Sequence, residues 1–184
     1  MLVVSIFLGT YLATSLLPAV VVAAILLVVA RAPILESKGT VRLRTDDDPE
    51  AVVDDFAGPT PPVLAFQWGV ADEVTTGEDS ATYHVSYLFG LRSADVTAHY
   101  QTESTGDGKH RVELEVTMND EPWATYTSIV EGNDDQTIVD VEYVSNRRFG
   151  LRRIPQQFFT ERYRDKALSA QGYTVVERDS HFGL

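Results

Sequence analysis

The 184-residue chain contains no cysteine. Disulfides, thiolate zinc sites, iron–sulfur clusters and cysteine nucleophiles are excluded with it. Lysine is scarce as well: Lys38, Lys109 and Lys166 are the only three, beside twelve arginines. Against these 15 bases stand 27 acids, 15 of them aspartate, for a formal charge of −12. General nucleic-acid binding needs a basic footprint, so nucleic acid is excluded as a partner. The third shortage is local. From Met1 to Ala30 there is no charged side chain.

At about 1.5 Å per residue, those thirty residues make a helix of roughly 45 Å, more than the ~30 Å apolar core of a bilayer requires. A lone segment in lipid must satisfy its own backbone, which leaves only a helix. A single transmembrane helix over residues 1–31 is therefore expected, kinked at Pro18. A cleaved signal peptide fits less well. No base precedes the apolar run, the run is too long, and the Ala30-Arg31-Ala32 triplet is followed by Pro33. Arg31, Lys38, Arg42 and Arg44 follow the span, so the positive-inside rule predicts a single-pass protein of the cell membrane with its C-terminal domain in the cytoplasm. Ser5, Gly9 and Ala13 form a small-xxx-small row suited to helix packing, a pattern that an alanine-rich span also produces by chance.

Residues 32–38 read as a juxtamembrane linker and 39–184 as one domain, long enough for a core of its own. Beyond Arg31 lie all 27 acids and 14 of the bases, a net −13. In composition this resembles proteins of salt-accumulating halophilic archaea, whose acidic surfaces keep them solvated.

Along the domain, Val41 and Leu43 alternate with Arg42 and Arg44, a strand over 39–45. Asp48-Pro49-Glu50 starts a helix, with Asp48 as cap and Pro49 at the first helical position; Val52, Val53 and Phe56 follow, and Gly58-Pro59 stops it. Six strands are then expected, at 63–74, 80–91, 94–103, 110–118, 122–131 and 136–145, with turn residues between them. Val112, Leu114, Val116 and Met118 against Glu113, Glu115 and Thr117 give the clearest alternation: one wall apolar, the other wet. Residues 154–171 have helical spacing, with Phe159, Tyr163, Ala167 and Ala170 on one face and Gly172 as stop. Tyr173 to Val176 reads as one further short strand. The class is α+β.

Strand, short helix, six-strand meander, long C-terminal helix: this order resembles the START-like, or helix-grip, superfamily (SRPBCC) of the polyketide cyclase and birch-pollen allergen type. The resemblance runs from about Gly39 to Gly172. Its most specific part is Val41-Arg42-Leu43-Arg44-Thr45 leading into Asp48-Pro49-Glu50-Ala51-Val52-Val53-Asp54-Asp55-Phe56. It implies a curved antiparallel sheet of about seven strands packed on the long helix. Two departures stand out: the second short helix is compressed into Gly58–Pro62, and the chain continues past the long helix.

Motifs with sharp chemistry are missing. His84, His99, His110 and His181 stand in no metal-ligand spacing, and no phosphate loop or nucleophile elbow can be drawn. No metal, cofactor or catalytic residue is assigned. The aromatic residues admit two readings, a filled core or the wall of a cavity. The family resemblance implies the second, with Trp68, Tyr87, Tyr100, Leu114 and Val116 on the sheet and Phe159 and Tyr163 above them. Arg162 and tyrosine hydroxyls would supply polar contacts. Arg147, Arg148, Arg152 and Arg153 are the one basic cluster. They are either a solvated loop or a contact with anionic headgroups, if the first strand pairs with the last meander strand beside the membrane. The resemblance thus implies a membrane-tethered module holding a hydrophobic small molecule or lipid. A cyclase or hydratase using the same cavity, and a partner-binding domain with a filled core, are the alternatives.

Overall fold

The computed structural model describes residues 2–13, 16–31, 36–87, 89–105, 107–133, 135–147 and 164–183. The N-terminal stretch differs from the single span expected over 1–31. It forms two helices, α1 (Leu2–Ala13) and α2 (Leu16–Arg31), which pack against each other. Only two residues separate them, so the packing is that of an antiparallel hairpin. Pro18 supplies the physical reason. It has no N–H to give to the carbonyl four residues earlier, whereas in the first turn of a new helix that N–H is not needed. The helices are about 18 and 24 Å long at ~1.5 Å per residue. Among the described residues no helix is long and apolar enough to cross a membrane. Ala19 is wholly buried, while Leu12 (83 %), Leu17 (76 %) and Val28 (69 %) stand exposed.

The domain is an eight-stranded antiparallel sheet with short helices on one face. In chain order the elements are β1 (Glu36–Thr45), α3 (Pro49–Phe56), a 3₁₀ turn (Pro62–Leu64), α4 (Ala65–Gly69), β2 (Glu73–Thr76), β3 (Ser80–Tyr87), β4 (Arg92–Thr105), β5 (Lys109–Met118), β6 (Glu121–Asn133) and β7 (Gln136–Ser145). Residues 164–170 are helical (α5), and β8 (Thr174–Gly183) follows. The sheet order is β2-β3-β4-β5-β6-β7-β1-β8. β1 therefore lies between β7, with Gly39 opposite Tyr143, and β8, with Thr40 opposite Asp179.

Alternation fixes the two faces. Val41, Leu43, Val112, Leu114, Val116, Val130, Val139 and Val141 are buried on the inner face, where Val52 and Phe56 of α3 and Leu168 of α5 join them. The outer face carries the intervening charged and hydroxylated residues. Arg42 meets Asp140 there in a two-pronged ion pair, Nε–Oδ1 2.6 Å and Nη2–Oδ2 3.0 Å. The β5–β6 turn puts Asn119 and Asp120 at φ +51° and +65°, the left-handed pair that a two-residue hairpin needs.

Several expectations are corrected. The strand expected over 63–74 is instead the 3₁₀ turn, α4 and the short β2. Pro61 and Pro62 start the turn, and Trp68 Nε1 donates back to the Pro61 carbonyl at 3.0 Å, closing a helical cap over β3. The second short helix is thus present as α4 rather than compressed into Gly58–Pro62. The sheet has eight strands, β1 begins at Glu36 within the expected linker, and β8 far outruns Tyr173–Val176. Of the helix expected over 154–171, residues 164–170 are helical and 154–163 lie outside the described residues.

Candidate functional site

Two hollows stand out among the described residues. One, about 400 Å³, opens on the outer face, between Thr40 and Arg42 of β1, Thr127 and Ile129 of β6, Asp140 and Glu142 of β7, and Glu177 and Asp179 of β8. Its floor is charged, and the Asp140 hydrogen bonds hold the Arg42 guanidinium above its ordinary pKa. The charged side chains that surround it make it a poor fit for a wholly apolar molecule.

The other hollow is a groove of about 240 Å³ between α4 and α5, lined by Val63, Ala65, Phe66, Gln67, Gly69, Val70, Arg164 and Ala167. α4 is pinned at both ends of its loop: Tyr83 donates its hydroxyl to the Pro59 carbonyl at 3.0 Å, and Trp68 holds Pro61 as described. The pinning leaves Phe66 61 % and Val70 45 % exposed at the groove. Gln67 Oε1 is buried with no hydrogen-bond partner among the described residues. Buried acceptors are normally satisfied, so this one has room for a donor.

Arg164 links the groove to the inner face. Its guanidinium lies over the Tyr143 ring at 5.6 Å, and Tyr143 sits 6.3 Å from Tyr126, ring centre to ring centre. Gly39 permits this arrangement: a Cβ there would lie 2.6 Å from the Tyr143 ring and 2.6 Å from the Asp179 carbonyl oxygen. Ser37 Oγ and the Tyr143 hydroxyl are 3.5 Å apart. Two residues along β6 from Tyr126, Ser128 is wholly buried, and its hydroxyl has no partner among the described residues. Burial raises the Tyr126 phenol above its ordinary pKa and raises Tyr83 to about 12. Both stay neutral hydrogen-bonding groups at physiological pH.

Of the expected cavity residues, Leu114 and Val116 are buried on the inner face. Trp68 and Tyr100 are half-buried, and their polar atoms are already used, on the carbonyls of Pro61 and Glu78. Tyr87 lines neither hollow and stands 45 % exposed at the end of β3. Phe159 and Tyr163 lie outside the described residues, as do Arg148, Arg152, Arg153 and Arg162. Arg147 pairs with Glu121. Sequence reasoning missed Gln67, Ser128 and Arg164. The helical spacing of 164–170 with Ala167 and Leu168 was the only signal for Arg164, and nothing in sequence marks Ser128 as unpartnered.

No family model and no curated protein sequence matches the chain. Solved structures do. A STAR-related lipid transfer protein from Xanthomonas axonopodis matches over 76 % of this chain and 86 % of its own, at 17 % identity and a TM-score of 0.51. Mll3558 from Rhizobium loti matches over 74 % and 98 %, at 17 % identity and TM-score 0.48. A START superfamily protein from Mycobacterium smegmatis matches over 74 % and 97 %, at 12 % identity and TM-score 0.43. The likeness to the Xanthomonas protein is one of fold: a curved antiparallel sheet with helices on its inner face.

Proposed function

We propose that the domain is a binding module that holds a hydrophobic small molecule or lipid in the groove between α4 and α5, beside a membrane to which the α1–α2 hairpin tethers it. The observation that carries this reading is the groove itself. It is apolar, it is open, and it bears one arginine to orient what enters, beside a Gln67 amide oxygen that has no partner among the described residues. That the structurally similar Xanthomonas protein is named for lipid transfer supports a lipid as the ligand class.

The tether is argued from the hairpin. Thirty uncharged residues leave Leu12, Leu17 and Val28 exposed, an apolar surface that water does not solvate well and acyl chains do. Two helices too short to span singly suit a hairpin that enters and leaves the bilayer on one side. Arg31 and Lys38 at its exit put that side in the cytoplasm. Arg147, just past β7 and at the same end of the sheet as the start of β1, would meet headgroups there by leaving its pair with Glu121. The acidic surface suits a salt-rich cytoplasm like that of halophilic archaea.

Uptake of an apolar fluorescent probe tests the groove. Ala167→Phe fills it and should weaken probe binding about tenfold or more, since ~1.5 kcal/mol of buried apolar contact is lost. Glu113→Gln, on the outer face, should bind like the parent. Equal binding by both variants would sink the groove as the ligand site.

A further inference from the structure

The β3–β4 hairpin ends in an apolar tip. Phe89 is fully exposed, Leu91 83 % and Tyr87 45 %. Its backbone is unusual as well, with Phe89 at φ +58° ahead of Gly90 at φ +81°. A bulky aromatic rarely adopts that conformation, and here the side chain held in it packs on nothing. The other hairpin turns are polar, as at Asp107-Gly108, Asn119-Asp120 and Asp135. Exposed singly, an apolar residue needs no explanation; three within five positions of a strongly acidic domain do.

The topology says where the tip points. All neighbouring strands are antiparallel, so the ends of β3, β5 and β7 and the start of β1 lie at one end of the sheet. That is the end at which the chain arrives from α2. Asn119, in the β5–β6 turn, bonds Asp95 of β4 through both backbone and side chain. β4 begins three residues earlier, at Arg92, so the ribbon runs about 10 Å past its neighbour at ~3.3 Å per residue. Five strand spacings separate β3 from β1, about 24 Å at ~4.8 Å each along the sheet.

We infer that the β3–β4 tip is a second membrane contact, burying Phe89, Leu91 and Tyr87 among the acyl chains while Arg92 reaches the headgroups. The inference rests on the tether proposed above. With the hairpin as one foot and the tip as the other, the sheet stands on the bilayer at two points rather than swinging from one.

The absence of native cysteine makes the test direct. Leu91→Cys carries an environment-sensitive fluorophore, and the full chain is reconstituted into vesicles whose lipids bear bromine at mid-chain. The expected result is blue-shifted emission that the brominated lipid quenches, lost when Phe89→Asp is added. The same fluorophore at Asp107→Cys, at the opposite end of the sheet, should report water. Flotation with the vesicles reads the tether separately. A chain that floats while the fluorophore at position 91 reports water overturns the tip alone. Blue-shifted emission without quenching also overturns it, by showing contact with protein. A chain that does not float removes tether and tip together.

Discussion

Tyr173 donates its hydroxyl to Asp55 Oδ2 at 3.0 Å, tying the residue just after α5 to α3, 118 positions earlier. Its ring also meets Phe56 edge-on at 5.8 Å. Tyr173 is 1 % exposed, so the hydroxyl is a buried donor with one partner. Gly172, at φ +87°, turns the chain so that the ring reaches inward. Tyr173→Phe should lower stability to urea by about 1–2 kcal/mol, and Tyr173→Ala by roughly 3–5 kcal/mol, because the second also opens a cavity. Equal losses for the two would show that the ring does not pack as described.

Alkaline pH should unfold the domain early. Burial raises the Tyr83 phenol to about 12 and raises Tyr173 too, there with help from nearby Asp55. A raised acid is protonated preferentially in the folded state. Its contribution is complete below the unfolded value of ~10 and is lost as pH rises from there towards about 12. For Tyr83 that loss is about 2–3 kcal/mol. Urea titrations at pH 8 and pH 11 should show a shallower alkaline decline in Tyr83→Phe than in the parent. Parallel declines would mean that Tyr83 does not titrate with folding.

Salt should stabilise the fold. The residues beyond Arg31 carry a net −13, and their mutual repulsion is screened only by ions. Circular dichroism of the full chain in neutral detergent should show strand signal lost as salt is diluted out and regained on its return. A signal indifferent to salt would remove the halophilic reading of the composition.

The proposed membrane hairpin predicts on which side residue 2 lies. If α1 and α2 enter and leave the bilayer on one side, an impermeant maleimide outside sealed cells should label neither Leu2→Cys nor Asp107→Cys, and both should react after lysis. A single span would expose Leu2→Cys to the outside reagent. Labelling of Leu2→Cys in intact cells therefore counts against the hairpin.

Most of the sheet was legible because its inner face is built by strict alternation. Val112, Leu114 and Val116 announce β5, and Val139, Val141 and Tyr143 announce β7. α3 was legible from Asp48-Pro49-Glu50, although Asp48 makes no side-chain cap bond. α4 was not, since a short apolar run such as Val63-Leu64-Ala65-Phe66 has no period that separates strand from helix; the decision lies in the Trp68–Pro61 bond. Only the start of β8 was legible, as Tyr173–Val176; the rest was hidden by its polar sequence, Glu177-Arg178-Asp179, where Arg178 lies 2.6 Å from Asp165 of α5. The N-terminal break hung on Pro18, which suits a kink and a new helix equally well by sequence. The groove was illegible for a related reason. Gln67 and Arg164 are 97 positions apart, and their meeting depends on how α4 and α5 cross the sheet.

β1 follows α2 after four residues and lies next to the edge of the sheet, paired from Lys38 to Thr45 with β7 and from Glu36 to Arg44 with β8. Its hydrogen bonds lie across the strand direction. A pull along the tether, from a moving bilayer or a dragging partner, therefore shears both ladders at once. Without β8 the same pull would meet one ladder. The C-terminal strand thus acts as a mechanical clasp, and the proposed anchor pulls on the strand it holds.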